Sequence, residues 1–283
     1  MEKKKRIYPH RPYNAVANLS KITEEQKEKV KVMYLDGFPQ TKIEETLKMT
    51  RKTIRTILQQ CGLLRDKSSQ WRLRWGSSLN ENVLDVLTPN ACYWIGFLYA
   101  DGHVRKEGAE YSIEVEIELK DKQHLIKLAQ FFECNKEPKQ YSKNSCTIRF
   151  YSKRLQEKLR ELGFAHDKSY TAKPHDLLKD SRDFWRGVVD GDGGIYDYRG
   201  KGYNASKHIH LCGTLATIEG FIMYCSTKLG VKEKSATHNP GKALYSISYY
   251  GVEAEQILNL LYKDATVYLD RKYNTYLGVC QKN

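Results

Sequence analysis

The sequence predicts an α+β fold made of two similar halves, preceded by a small all-α domain. An unusual nine-residue phrase occurs twice, and the pattern of apolar and polar residues after each copy follows the same order. Before these repeats, apolar residues recur at helical spacing in a short segment of different character. We therefore place a basic flexible arm at residues 1–20, an all-α domain at 21–66, a linker at 67–87 and the two halves at 88–180 and 181–283.

The repeated phrase reads WIGFLYADG at residues 94–102 and WRGVVDGDG at residues 185–193. The glycine in the third position and the aspartate in the eighth position keep one offset of 91 residues between the copies. Those aspartates are Asp101 and Asp192. An internal repeat of this kind predicts two structurally similar halves.

Each copy is predicted to be a helix with one closely packed face. Thr88 and Ser181 are suitable N-caps, and a proline follows Thr88 at the first helical position. Small residues four apart on one face allow two helix backbones to approach each other, and they are Gly96, Ala100, Gly187 and Gly191. After each terminal aspartate we expect Gly102 and Gly193 to adopt the left-handed conformation that ends many helices.

An aspartate at a helix C-terminus is unfavourable, because that end of the helix carries partial negative charge. The presence of one in each copy therefore needs an explanation. If the two helices meet, Asp101 and Asp192 converge and repel each other unless a cation lies between them. Mg²⁺ binds few carboxylates and keeps waters or phosphate oxygens as its other ligands. Two carboxylates that hold metal near a phosphodiester are suited to its hydrolysis. A buried helix with an ordinary glycine-terminated end is the alternative interpretation of either copy alone.

On these residues the sequence resembles the monomeric, two-motif branch of the LAGLIDADG homing endonucleases. Letter by letter, Asp101 and Asp192 fall on the metal-binding catalytic aspartate of that family, and the third-position glycines fall on its helix-packing glycine. The earlier acidic letter is Asp190 in the second copy, whereas the first copy has Tyr99. The resemblance covers residues 85–283. It implies a pseudo-twofold pair of αββαββα halves whose antiparallel sheets form a saddle over the DNA major groove.

The resemblance also implies an activity, which is a site-specific double-strand cut in DNA that leaves 3′ overhangs. Because the two halves differ in sequence, we expect a long and asymmetric target. Asp101 and Asp192, each with the glycine that follows it, are expected to hold Mg²⁺, for which Mn²⁺ can substitute. A catalytic lysine late in each half is implied as well, and Lys168 and Lys272 are the candidates by position. A solvated lysine is the alternative for both.

After each phrase the pattern predicts strand, strand, helix, strand, strand and helix. In the first half we expect a strand at residues 111–119, a helix at 121–133, a hairpin at 139–151 and a helix at 152–162. In the second half we expect a strand at 207–212, a helix at 215–229, a hairpin at 231–250 and a helix at 252–262. This order gives antiparallel sheets backed by helices.

The strand at residues 111–119 places three glutamates, Glu114, Glu116 and Glu118, on its outward face. A face that meets phosphates is expected to be basic, so we interpret this segment as a solvated edge strand that charge protects from aggregation. Acceptance of hydrogen bonds from cytosine amino groups is the alternative. The other candidates for base contacts are Lys139, Tyr141, Lys143, Arg149, His208, His210, Lys232, Lys234 and His238.

The first part of the chain predicts helices at residues 23–36, 40–47 and 51–61, with a tight turn before the last one. This helix-turn-helix layout resembles the small trihelical DNA-binding units of resolvases and transposases. The residues near the start of the last helix, where such helices contact DNA, are Arg51, Lys52, Thr53 and Arg55. A plain three-helix interaction module is the alternative.

The charge of the chain favours a polyanionic partner. The net charge is +13, of which residues 1–90 carry +8 and the longer remainder carries +5. In the linker, Trp71, Arg72 and Arg74 either lie along DNA by stacking and phosphate contact or pack the linker onto the next domain.

The sequence has no apolar run near the roughly 20 residues of a membrane span and no visible signal peptide. Its seven cysteines contain no CxxC pair, which indicates reduced thiols and no zinc site. We expect a cytoplasmic protein of a bacterium or a phage-infected cell, with an organelle as the alternative. We expect it to bind double-stranded DNA as a monomer, without a membrane or an obligate protein partner, and to belong to an intron or another mobile element.

Three other functions compete with the endonuclease. The first is a transcription regulator that keeps the paired-helix domain and binds DNA without cutting it. Such regulators are expected to lack the catalytic acids and to carry the helix-turn-helix last, whereas here both acids are present and that segment comes first. The second is an RNA maturase on the same fold. The third is a recombinase, which needs a nucleophilic serine or tyrosine site, and no convincing one is found.

Overall fold

The computed structural model describes residues 22–36, 38–64, 78–104, 111–164, 171–197, 207–240 and 244–280. The chain divides into two compact units, residues 1–75 and residues 76–283, which are considered separately below. Among the described residues, no helix has both the length and the apolar character that crossing a membrane requires.

The first unit contains three helices, α1 (Glu24–Leu35), α2 (Gln40–Leu47) and α3 (Arg51–Gln60). Thr23 and Gln26 form a reciprocal capping box at the start of α1, and the Thr50 side chain accepts from the backbone N–H of Thr53 at the start of α3. The three helices share one apolar cluster, formed by Val30, Tyr34, Ile43, Met49, Ile54, Ile57 and Leu58. The predicted positions of all three helices are confirmed to within one residue at each end.

The second unit begins with α4 (Pro89–Asp101), which contains most of the first phrase. It continues with β1 (Gly102–Val104), β2 (Ser112–Glu118), α5 (Lys122–Phe131), β3 (Lys139–Gln140), β4 (Ser145–Tyr151) and α6 (Lys153–Glu161). The four strands pair antiparallel in the order β1-β2-β4-β3. Thr88 caps α4 by accepting from the N–H of Ala91, as its position before a proline predicts.

The second half repeats this arrangement. It contains α7 (Arg182–Asp192), β5 (Gly193–Asp197), β6 (Lys207–Gly213), α8 (Leu215–Leu229), β7 (Thr237–His238), β8 (Tyr245–Tyr250) and α9 (Gly251–Tyr262). Its strands pair antiparallel in the order β5-β6-β8-β7, which is the order of the first sheet. The predicted α+β fold with two αββαββα halves is therefore confirmed.

One further helix, α10 (Asp270–Cys280), was not predicted. Its buried positions are Lys272, Tyr276 and Val279, which are spaced as one helical face. The pattern escapes a search for apolar periodicity because the first of these positions is a lysine.

The interpretation of residues 111–119 as an edge strand is wrong. The strand that they form, β2, lies inside its sheet between β1 and β4. Glu114 faces its register partner Arg149 on β4, and their side chains form an ion pair at 2.5 Å. The charge on this strand is therefore partly neutralised within the sheet and does not protect an edge.

A single apolar core joins the two halves. Trp94 and Trp185, the first letters of the two phrases, are among its largest fully buried side chains. The indole N–H of Trp185 donates to the carbonyl of Lys179 at 2.7 Å, so its polar atom is satisfied. The cysteines all carry free thiols.

Candidate functional site

The helices α4 and α7, referred to below as the first and second paired helices, pack backbone against backbone. A Cβ atom on Gly96 would lie 2.1 Å from the carbonyl oxygen of Phe184, and one on Gly187 would lie 2.1 Å from that of Tyr93. A Cβ on Gly191 would lie 2.3 Å from the Cβ of Ala100. The small residues identified in the sequence therefore form the contact between the two helices, because no larger side chain fits there.

The glycines after the terminal aspartates do not have the predicted left-handed conformation. Gly102 has φ −75° and ψ 141°, and Gly193 has φ −95° and ψ 171°, so both are extended and begin a strand. Both positions require glycine because a side chain does not fit there. A Cβ would lie 2.5 Å from the carbonyl oxygen of Leu98 in the first copy and 2.6 Å from that of Val189 in the second. Each aspartate therefore lies at an abrupt helix-to-strand junction.

The two aspartates lie at the same end of the helix pair. An Oδ2 atom of Asp101 is 3.3 Å from the Cβ position of Gly191, the residue that precedes Asp192. Asp101 is half-buried and Asp192 is exposed. The structure thus places the two aspartates that the repeat identified, one from each half, at neighbouring helix ends.

Lys272 lies beside these carboxylates and is 4% exposed. Burial lowers its pKa to about 8, while the negative charges of Asp190, Asp101 and Asp192 act in the opposite direction. Its Nζ donates to main-chain carbonyls at the end of the second paired helix, including that of Asp190 at 2.6 Å. Of the two predicted lysines, Lys272 is therefore placed at the carboxylates, whereas Lys168 lies outside the described residues.

Asp190 is a buried carboxylate that ties the two halves together. It accepts from the hydroxyl groups of Tyr93 and Tyr262 at 2.6 Å each and from the backbone N–H of Leu269 at 2.8 Å. Burial raises its pKa. At the matching position of the first copy, the hydroxyl of Tyr99 forms a 2.6 Å hydrogen bond with Thr217 on α8. Tyr99 and Asp190, at matching positions of the two copies, therefore each form a hydrogen bond with the other half, although one is a phenol and the other a carboxylate.

Replacing Asp190 with alanine is expected to lower the free energy of unfolding by about 3 kcal/mol, because two buried tyrosine hydroxyls lose their acceptor. Urea unfolding of the full chain measures this loss. The matched control is Asp176→Ala, whose ion pair with Lys179 is exposed and which should change stability by less than about 0.5 kcal/mol. Equal effects of the two substitutions would remove the structural role given to Asp190.

A pocket of about 170 Å³ lies next to the second carboxylate. Asp192 lines it together with Tyr99, Thr214 and Thr217. Burial raises the pKa of Tyr99 to about 12, so its hydroxyl stays protonated at neutral pH. Sequence reasoning missed the two threonines, because their contact with Tyr99 joins residues that are far apart in the chain.

The second sheet presents flat rings on the face that is not covered by helices. Tyr196, His208 and Tyr250 stack in a row across three neighbouring strands, with ring centroids 5.3 and 4.5 Å apart. His210 follows on the same strand, and its Nδ1 lies 3.0 Å from the hydroxyl of Ser248. Burial lowers the pKa of both histidines, so they are neutral at pH 7 and can offer stacking and hydrogen bonds without charge.

The remaining predicted base contacts on the sheets divide into two groups. The exposed residues at the hairpins are Lys139, Tyr141, Lys143, Lys232 and His238. Lys234 differs from them, because its Nζ lies 2.6 Å from Glu253 on α9 and 4.4 Å from the ring of the buried Tyr249. Its ammonium is therefore paired with a helix of the second half, and its role as a base contact stays a prediction.

In the first unit, the residues predicted to contact DNA differ in their availability. The Arg51 guanidinium is paired with Glu44 on α2 at 3.2 Å, and the Thr53 hydroxyl bonds to that of Thr50 at 2.9 Å. Lys52 and Arg55 are exposed. The predicted contacts of the linker, Trp71, Arg72 and Arg74, lie outside the described residues.

Comparison with known proteins gives structural neighbours only. No protein-family model matches the chain, and no curated protein matches it. The LAGLIDADG homing endonuclease I-SmaMI, solved with cleaved DNA, is similar with a TM-score of 0.49 and 14% identity over 69% of this chain and 88% of that one. The LAGLIDADG meganuclease I-AabMI, solved with uncleaved DNA, has a TM-score of 0.48 and 11% identity over 69% of this chain and 91% of that one. The solved structures to which this chain is similar thus include LAGLIDADG homing endonucleases.

Proposed function

We propose that this protein is a site-specific DNA endonuclease whose cutting centre is formed by Asp101 and Asp192. The observation that carries the proposal is that Asp101 and Asp192, one from each repeated half, lie at the same end of a helix pair packed through glycine. Each carboxylate lies at the negative end of a helix dipole, where a negative charge is unfavourable unless cations are near it. A function that recruits a cation explains both.

The donor set fits a hard divalent metal. Among the described residues, no group of three or more His, Cys, Asp or Glu side chains could hold a metal. A pair of carboxylates suits Mg²⁺, or Mn²⁺ in its place, because such ions complete their coordination with waters and phosphate oxygens. The carbonyl of Gly193 already accepts from Lys272 at 2.6 Å, which favours the Asp192 carboxylate over this carbonyl as a ligand. Bound there, the metal would supply Lewis-acid stabilisation of charge on the phosphate.

We infer a long and asymmetric target, with a double-strand cut that leaves 3′ overhangs. The open faces of the two sheets offer different chemistry, which supports the asymmetry. The first has the Arg149–Glu114 ion pair, and the second has the stacked rings of Tyr196, His208 and Tyr250. Two half-sites read by different side chains are expected to differ in sequence.

A cleavage selection tests this function. The purified full chain is incubated with a randomised duplex library in Mg²⁺ and, in parallel, in Ca²⁺, and all new DNA ends are sequenced. Recurrent staggered ends within one long motif, present only with Mg²⁺, support the endonuclease and give its target. If no ends form but a defined motif is retained in a pull-down, the protein is a DNA-binding regulator. Preferential retention of structured RNA would favour the maturase.

The three-helix unit is proposed to extend the DNA footprint through Lys52 and Arg55. Replacing both with glutamine is expected to weaken binding to the selected target by about tenfold or more and to reduce the salt slope of log Kd by about 1 per residue. Fluorescence anisotropy across a salt series measures this. The control is Lys29→Gln on the exposed face of α1, which removes one charge from the same unit. An equal loss of affinity per charge removed in this variant and in the α3 variant would mean that α3 has no special role.

A further inference from the structure

Lys272 enters the protein interior from α10, and its ammonium ends against the main chain. Four carbonyl oxygens surround Nζ, those of Asp190 and Gly193 at 2.6 Å, Val189 at 2.8 Å and Gly191 at 3.4 Å. All four belong to the junction between the second paired helix and β5, where Asp192 lies. We propose that Lys272 is a positioning residue that fixes this junction, and with it the carboxylate of Asp192, without contacting the DNA itself.

The hydrogen bonds of Lys272 leave no donor for a substrate. A lysine ammonium has three hydrogens, and three of the four carbonyls lie within 2.8 Å of Nζ. With only 4% of the residue exposed, the ammonium is turned toward the main chain and away from solvent. Its influence on cutting must therefore pass through the residues that it holds. This inference rests on the proposed endonuclease function and assigns a task within the same centre.

The positive charge has a local reason. The last carbonyls of a helix have no intrahelical partners, and they add up to a partial negative charge. Here the buried Asp190 and the carboxylates of Asp101 and Asp192 increase the negative potential, and each favours the charged form of Lys272. An apolar side chain at this position would leave the carbonyls of the junction without the donors that Lys272 provides.

The helix that carries Lys272 is anchored to the first half. Asp270 accepts from Lys127 on α5 at 2.6 Å, and Arg271 pairs with Asp121 before α5 at 3.0 Å. Three consecutive residues therefore link one helix of the first half to the end of the second paired helix. The position of Asp192 is fixed relative to the half that supplies Asp101.

The test compares Lys272→Met, Lys272→Arg and the control Lys263→Met, which removes an exposed lysine directly after α9. Two readouts are used on the full chain. The first is single-turnover cutting of a supercoiled plasmid that carries the selected motif, measured across Mg²⁺ concentrations. The second is hydrogen–deuterium exchange of residues 186–195 without DNA or metal, which reports the order of the junction directly.

With Lys272→Met, exchange in residues 186–195 is expected to speed up, and cutting is expected to fall by about 100-fold, the usual effect of misplacing a catalytic group by about 1 Å. Arginine keeps the charge and the donors, so it should restore most of the exchange protection and much of the cutting rate. Lys263→Met should match the unmodified protein in both readouts.

Lost cutting with unchanged exchange would overturn the inference, since the ammonium would then act on the substrate. Unchanged values of both readouts would overturn it as well. If the methionine variant fails to fold, Lys272→Gln, which keeps two donors without charge, takes its place, and exchange should increase in the order Lys, Arg, Gln. Absence of cutting by the unmodified protein would contradict the proposed function alone, because the exchange measurement needs no DNA.

Discussion

Replacing Asp192 with asparagine is expected to abolish double-strand cutting, with a fall in rate of about 1000-fold or more, while DNA affinity changes by less than about threefold. The amide keeps the size of the side chain but removes the charge that would hold a divalent cation. Such a cation contributes several kcal/mol of transition-state charge stabilisation. Linearisation of a plasmid carrying the selected motif and anisotropy with the same duplex measure the two quantities. Asp101→Asn should give the same separation of cutting from binding.

The control for these substitutions is Asp180→Asn, an exposed carboxylate just before the second paired helix. It should cut at the rate of the unmodified protein. If the Asp192 variant linearised plasmid as fast as this control, Asp192 would have no part in the cutting centre. Loss of binding together with cutting would instead indicate that the aspartates serve the fold or the DNA interface.

Replacing Gly187 with alanine is expected to lower the free energy of unfolding by at least about 3 kcal/mol and the Tm by roughly 10 °C. Overpacking costs about 1–3 kcal/mol where side chains can move aside. Here the new Cβ would lie 2.1 Å from the carbonyl oxygen of Tyr93 and 2.7 Å from the backbone nitrogen of Phe97, and neither can move without separating the helices. Thermal unfolding followed by circular dichroism measures the effect.

Gly278 provides the matched control. It lies within the helix α10, and a Cβ there meets nothing within 4 Å. Gly278→Ala should therefore stabilise the protein by about 0.5–1 kcal/mol, the helix-propensity difference between the two residues. If both alanine variants changed stability alike, close approach of the paired helices would not be the reason for Gly187.

The sequence predicts most of the architecture because the local signals agree with one another. Strand alternation, capping residues and the repeated phrase all specify the same order of elements, and the structure confirms that order in both halves. The pairing of Asp101 with Asp192 could be predicted because their offset matches that of the helix-packing glycines. Such features depend on residues close together in sequence or repeated at a fixed interval.

The errors share a different cause, which is contact between residues far apart in the chain. The place of β2 inside its sheet depends on its neighbours, so the charge of Glu114 alone could not reveal it. Gly102 is an exception, because a local contact explains it: a Cβ there would lie 2.5 Å from the carbonyl oxygen of Leu98, four residues earlier. The buried position of Lys272 depends on carbonyls about 80 residues away, and no linear pattern marks it.

The bridges formed by Tyr99 and Asp190 bear on how the halves can be exchanged. Tyr99 reaches Thr217 in the second half, and Asp190 reaches Tyr93 in the first, so the two crossings use different partners. In a homodimer built from the second half, Phe184 would take the place of Tyr93 and would offer Asp190 no hydroxyl. A chimaera that pairs one half with that of another protein must therefore transfer the partner residues as well.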